Sequence, residues 1–392
     1  MPACYPDLAN PRKIRRHLTM AVVCALCVVM SGCSSLRYYL QAAHGEIGVL
    51  RAARPISRIV LDPHTPAPLR RELEQVRAIH RFAIKVLHLP DNGSFRDYAD
   101  LHRNYALWNV FAARPFSVHL IRWCFPIAGC VPYRGYFSRA QAQQYAAALA
   151  HRGDDIYVAG VPTFSTLGWL PDPLLSTEIY RSPAETAGLI FHELAHALLY
   201  VPGDPVFNES FAVTVQQSGV RRWLRASGNR KGLLRYARAQ RFDAAFDALI
   251  RHYRSVLARV YRKEPAGPQL LQKKRGLFLA LSLAIHRTAR CFGVQVTLPR
   301  ELNNATLGAM STYTELVPAF RNILREDGGH LSRFYATVRR ISQWPKTRRT
   351  RWLKSKLPAP RSRPFRCAAS GGRGAKRATP ARDVRGRRPG ER

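Results

Sequence analysis

Between positions 67 and 88 the apolar residues Leu69, Leu73, Val76, Ile79, Phe82, Ala83 and Val86 return every three or four places, which predicts an amphipathic helix. His80 and His88 within it read as surface or core-edge residues, not as metal ligands. A second helix is expected over Arg139–Arg152, and the short apolar run Ile156–Val161, after Gly153-Asp154-Asp155, reads as a strand. Ser182-Pro183-Ala184-Glu185 has the form of a capping box with proline at the first helical position. It opens a helix to Tyr200 whose apolar side carries Leu189, Ile190, Leu194, Ala197 and Leu198. After a break at Val201-Pro202-Gly203-Asp204-Pro205, Asn208 is read as the cap of a further helix, which puts Glu209 in its first turn. Leu277–Arg287, Tyr313–Leu324 and Leu331–Ile341 are again helical in pattern. The balance predicts an α+β protein, predominantly α-helical, with a small sheet beside the 184–200 helix.

That helix carries His192-Glu193-Leu194-Ala195-His196. Two histidines four residues apart project from one helix face, so both rings can bind a single Zn²⁺. Glu193, beside the first of them, is placed to take a proton from a water at the open position of the metal. A catalytic zinc site needs a third protein ligand, and Glu209 can reach it if the Pro-Gly-Asp-Pro turn folds the next helix back. The other reading of Glu209 is a carboxylate favourably placed near a helix N-terminus.

The ends of the chain differ from its middle. Lys13, Arg15 and Arg16 precede an apolar run, Leu18–Met30, too short to cross a bilayer comfortably and typical of a secretory signal. It ends in Met30-Ser31-Gly32-Cys33, the form of a lipoprotein cleavage site. Residues 1–32 are therefore read as signal, Cys33 as the lipidated residue and the membrane as a partner through that lipid. Ordinary cleavage or an uncleaved anchor are the alternatives. Ser34, with no acid after the cysteine, fits the outer membrane of a Gram-negative cell, facing the periplasm. Cys124 and Cys130 enclose a short Pro-Gly loop and are expected to form a disulfide there, while Cys291 and Cys367 have no evident mates.

The chain carries 62 Lys+Arg against 25 acids, a net charge of +37. From Lys346 to Arg392 there are 17 basic and 2 acidic residues, so this stretch alone contributes +15. With few large apolar residues, 346–392 is expected to be a disordered basic tail able to contact anionic envelope polymers, leaving 33–345 as the folded domain. Nothing in the sequence has the form of a DNA- or RNA-reading module, so no specific nucleic-acid partner is expected.

The stretch from Phe164 to Gly219 resembles a family of bacterial zinc-dependent aminopeptidases of the gluzincin type, in which two histidines and a glutamate hold the metal. The resemblance rests on Ser165-Thr166-Leu167-Gly168-Trp169, Asp172-Pro173-Leu174-Leu175-Ser176-Thr177, Ile190–His196 and Phe207-Asn208-Glu209-Ser210-Phe211-Ala212. Further blocks, among them Leu89-Pro90-Asp91-Asn92, Tyr133-Arg134-Gly135-Tyr136-Phe137, Asn303-Asn304-Ala305 and Val317-Pro318-Ala319-Phe320, extend it to about residues 36–340. It implies a zincin-like metallopeptidase fold, a peptide substrate, His192, His196 and Glu209 as metal ligands, and Glu193 as general base. Tyr313 is its first candidate for stabilising the oxyanion, with Tyr136 and His330 as rivals and core packing as the other role open to Tyr313. Two departures stand out. Gln216 and Gln217 occupy positions where the family usually has acids, which is expected to weaken the support of a ligand. His330 replaces another acid. The sequence thus predicts a membrane-anchored zinc peptidase, against the alternatives of a non-catalytic zinc-binding protein or a basic envelope-adhesion lipoprotein.

Overall fold

The computed structural model describes residues 38–125, 129–163, 171–179, 182–311 and 314–358. In chain order the elements are α1 (38–52), β1 (Ala53–Pro55), α2 (Ile56–Leu61), α3 (Ala67–Lys85), β2 (Asp97–Ala99), β3 (Leu107–Ala113), β4 (Trp123–Phe125), β5 (Gly129–Val131), β6 (Arg134–Tyr136), α4 (Arg139–Ala150), β7 (Asp155–Val161) and β8 (Leu174–Leu175). They are followed by α5 (Pro183–Leu198), α6 (Pro205–Ala226), α7 (Arg230–Lys263), α8 (Pro268–Phe292), α9 (Asn304–Met310), α10 (Val317–Glu326), α11 (Leu331–Ser342) and α12 (Lys346–Ser355). The fold is a predominantly helical α+β one. β3 lies between β6 and β7, antiparallel to both, in the register Trp108↔Tyr136 and Asn109↔Ala159. A second small sheet joins β1, β2 and β8, and β4 pairs with β5 across the Cys124–Cys130 disulfide.

The main core is gathered by α3, α5, α6, α10 and α11. Phe191, Phe207, Phe211, Phe320 and Phe334 are fully buried, with Phe207 edge-on to Phe320 and Phe211 stacked on Phe334. Gly219 lets α6 sit close to α5 and to the end of α3, since a Cβ there would come within 2.7 Å of Phe191 and Leu87. A separate apolar cluster between α7, α8 and α9 contains Ile250, Leu257, Phe278, Leu281 and Leu307.

Several expectations meet corrections. α3 ends at Lys85 and not at residue 88, because His88 adopts φ 54°, a left-handed conformation that ends the helix. His80 is buried at the edge of the core. α10 begins at Val317, not at Tyr313. The 34-residue α7, absent from the periodicity reading, is largely solvent-facing and strongly charged, so its apolar stripe is thin. Cys291 is disulfide-bonded, its mate lying outside the described residues. The fold also continues past residue 345. α12 packs with Leu353 and Arg349 buried, and Arg349 donates to Asp204 at 2.7 Å and to the carbonyls of Ser342 and Trp344. Charge alone made 346–355 look like tail, but each cation that enters the body finds a partner. The remainder of the basic tail and the signal segment with Cys33 lie outside the described residues.

A buried ion pair ties the sheet to the helices. The Lys274 ammonium on α8 donates to both oxygens of Asp155 on β7, at 2.6 and 2.8 Å, and to the Pro115 carbonyl. Asp155 also accepts from the Asn304 backbone N–H at the start of α9. Lys274→Met strands the Asp155 carboxylate and is expected to cost about 3–5 kcal/mol. The midpoint of urea unfolding measures that loss, and adding Asp155→Asn should restore part of it.

Candidate metal centre and active site

The helix that presents the two histidines starts as the sequence predicts. Ser182 Oγ accepts from the Glu185 N–H while the Glu185 carboxylate accepts from the Ser182 N–H at 2.9 Å, and Pro183 fills the first helical position. α5 then runs without interruption to Leu198, carrying His192 and His196 one turn apart with Glu193 next to the first. Gly203, at φ 74°, reverses the chain.

α6 begins earlier than the sequence indicated. Asp204 is its cap, with its carboxylate accepting from the Phe207 N–H, and Pro205 is the first helical residue. Asn208, expected at the cap, is fully buried inside the helix. Its amide donates to the Val201 carbonyl and accepts from the Val201 N–H, both at 2.8 Å, clamping the turn between α5 and α6. The correction has a physical origin: Asp204 and Asn208 are both good caps, but only Asp204 is followed directly by proline. Glu209 therefore sits in the second turn of α6 and still faces α5.

Three side chains meet there. His192 Nε2 and His196 Nε2 are 3.1 Å apart, Glu209 Oε2 is 3.3 Å from the first and Oε1 3.5 Å from the second. His192, His196 and Glu209 form the one His/Cys/Asp/Glu cluster with metal-site spacing among the described residues. The donor set is two imidazole nitrogens and a carboxylate, all with lone pairs available toward one another. Such a group repels itself unless a cation or a shared proton lies between its members, and it matches the nitrogen and oxygen ligands that zinc takes. Burial pulls the His192 imidazole down, but the hydrogen bond it donates to Glu209 and the charges of Glu193 and Glu209 outweigh it and raise its pKa. Burial pushes the Glu209 carboxyl up, and the hydrogen bonds and charges of both histidines more than reverse that, holding it well below the usual carboxylate range. The pocket already favours positive charge facing Glu209.

His192 is oriented from behind. Its Nδ1 is 3.1 Å from Gln216 Oε1, so the ring donates Nδ1–H to the amide oxygen and turns its Nε2 lone pair toward the cluster. Gly188 makes room for this, because a Cβ there would lie 3.1 Å from the Gln216 amide nitrogen. Gln216 thus supports the His192 ring through a neutral amide in place of an acid. Gln217 points elsewhere and accepts from the Arg321 guanidinium. Gln216→Ala is expected to weaken zinc binding by about 10–100-fold. Competition with a chelating dye measures it, and Gln216→Glu should bind at least as tightly as the native chain.

Glu193 is half-buried on the same helix, next to His192. Tyr313 lies outside the described residues. Of its rivals, Tyr136 packs among Tyr38 and Tyr145 with the Arg134 guanidinium beside them, and His330 is an exposed residue at the start of α11. Sequence reasoning missed Tyr200. Its ring centroid lies 6.1 Å from that of His196, and it hydrogen-bonds to Asn208. Burial and the Glu209 charge raise its pKa, so it stays a protonated donor. The signal was its position four residues beyond His196, the same step that separates the two histidines.

A helix bearing two histidines and an intervening glutamate, closed by a carboxylate from the next helix, defines a candidate hydrolytic metal centre. The model of the family described as "Putative aminopeptidase" matches residues 37–353, and the chain belongs to that family. No curated protein and no solved structure matches the chain. The match reaches the last turn of α12, in keeping with the fold continuing past residue 345.

Proposed function

We propose that the protein is a zinc-dependent aminopeptidase whose metal is held by His192, His196 and Glu209. The convergence of those three side chains is the observation that carries the reading. Bound there, zinc would supply a Lewis acid that polarises the peptide carbonyl and brings a water within reach of deprotonation near neutral pH. Glu193 accepts the proton of the attacking water and passes it to the departing amine, so that water adds to the carbonyl carbon as the C–N bond breaks. Gln216 keeps His192 in the tautomer a ligand requires. Tyr200 offers a hydroxyl donor for the charge that develops on the carbonyl oxygen, a task for which Tyr313 was the candidate from sequence. β7 ends its sheet, and among the described residues its outer side carries no further strand, which leaves an edge for an extended peptide. A structural zinc site fills its fourth position from the protein. Among the described residues the cluster has three members, which favours catalysis over a purely structural metal.

Digestion of a mixed peptide library by the full-length chain, read by mass spectrometry, tests the activity. Products shortened from the N-terminus are expected. Internal cleavage would make it an endopeptidase, and no cleavage would leave the centre non-catalytic.

The cellular setting belongs to the same proposal and rests on sequence: a signal over residues 1–32, diacyl lipid on Cys33, and attachment at the outer membrane facing the periplasm, with the basic tail free to contact anionic polymers. No helix of the described residues is long and apolar enough to cross a membrane. Cys33→Ala is expected to abolish labelling by a fatty-acid analogue and release the protein from the membrane fraction. Retention in that fraction with no label on the native protein would contradict the assignment.

A further inference from the structure

A cavity of about 650 Å³ lies between the start of α6, α7 and α9. Its near wall includes Val206, one turn before Glu209 on the same half-buried stripe of α6. Residues 314–316 fasten this end in place. Thr314 Oγ1 donates to Asp247 Oδ2 at 3.1 Å, and the Leu316 N–H donates to Ser210 Oγ, beside Glu209, at 3.2 Å. The carboxylates of Asp247 and Glu315 line the cavity there. Asp243, one turn before Asp247 on α7, is pushed up to about 6, first by burial and then by the Asp247 charge.

The far end has the opposite sign. α7 presents Arg251 and Arg254 to the cavity, one and two turns beyond Asp247, and Arg122 enters from the residue before β4. Arg251 and Arg254 form no ion pair with a carboxylate among the described residues, in contrast to the arginines that build the fold, such as Arg349 on Asp204. From Asp247 to Arg254 the helix axis advances roughly 10 Å, and an extended peptide covers that distance in about three residues.

We propose that this cavity receives short peptides with both ends unblocked, the ammonium at Asp247 and Glu315, the end nearer Glu209, and the terminal carboxylate on Arg251, Arg254 and Arg122. The proposal rests on the peptidase reading above and adds to it a substrate class, peptides of about three residues. Guanidinium groups suit the task because they bind a carboxylate through paired, charge-assisted hydrogen bonds. Hydrolysis of the first peptide bond consumes one water and yields a free amino acid and a peptide one residue shorter. That product no longer spans the two charged ends, which favours its release.

The test uses the full-length chain with trialanine, N-acetyl-trialanine, trialanine amide and hexaalanine. Trialanine should be cleaved with kcat/KM about tenfold or more above each of the other three. Arg254→Ala should raise KM for trialanine and collapse the preference over the amide, with kcat little altered. Calorimetric binding of trialanine and its amide to Glu193→Gln gives the same comparison without turnover and should show the same preference. Hexaalanine and the amide cleaved as well as trialanine would overturn the length and carboxylate assignment and leave the peptidase reading standing. An Arg254→Ala variant that slows trialanine and its amide equally would also overturn it. If the native chain cleaves none of the peptides and Glu193→Gln binds none, both readings fall.

Discussion

Glu193→Gln is expected to lower peptide turnover by about 10²–10⁴-fold, the range that a positioned general base contributes, while zinc stays bound. The two halves of this result follow from different parts of the site. The metal would be held by His192, His196 and Glu209, whose donor atoms converge, and Glu193 is not among them. Gln occupies the same volume as Glu and keeps a hydrogen-bonding oxygen, so α5 and its packing should persist. What is lost is the ability to take the proton of the attacking water and return it to the amine. Metal content and steady-state turnover, measured on one preparation, separate the two. Loss of zinc from this variant would make Glu193 a ligand.

Glu209→Ala should remove both. Among the described residues Glu209 alone brings a carboxylate to the two facing Nε2 atoms, at 3.3 and 3.5 Å. Without it the two imidazoles are left facing each other 3.1 Å apart, with their shared counter-charge gone. Zinc affinity is expected to fall by at least about a hundredfold, the upper end of what loss of a merely supporting partner brings, and turnover with it. The fold should survive, because α6 is anchored by neighbouring residues: Asn208 clamps Val201, Asp204 pairs with Arg349, and Phe207 and Phe211 fill the core. A circular dichroism spectrum like that of the native chain, with zinc binding lost in calorimetry, is the expected pair of observations. Unchanged binding would mean that another acid completes the site.

The helix that carries the two histidines was legible because its signals are local. A capping box, a proline at the first position and a histidine repeat of four all act within a few residues, and α5 follows them. Where two local signals competed, the sequence was ambiguous. Both Asp204 and Asn208 are good caps, and only the packed turn shows that Asn208 serves a nonlocal purpose, holding Val201 from inside α6. The Gln216 contact was hidden for a related reason. Its value depends on Gly188 opening the gap between helices, 28 residues upstream in the chain, and periodicity does not encode that contact. α7 and α12 were hidden by charge. Arg349 looked like part of a solvated tail until Asp204 and the end of α11 supplied its partners. The cavity charges are likewise legible only in three dimensions, since Arg122, Asp247 and Glu315 come from separated stretches of the chain.

In the function proposed here, peptide hydrolysis depends on a zinc ion held by His192, His196 and Glu209. Peptide turnover by the metal-stripped full-length chain, followed as zinc is added stepwise, tests it most directly. No turnover is expected in the stripped protein, followed by a rise that levels off at one zinc per chain. Full turnover without zinc, or none at any zinc concentration, would contradict it.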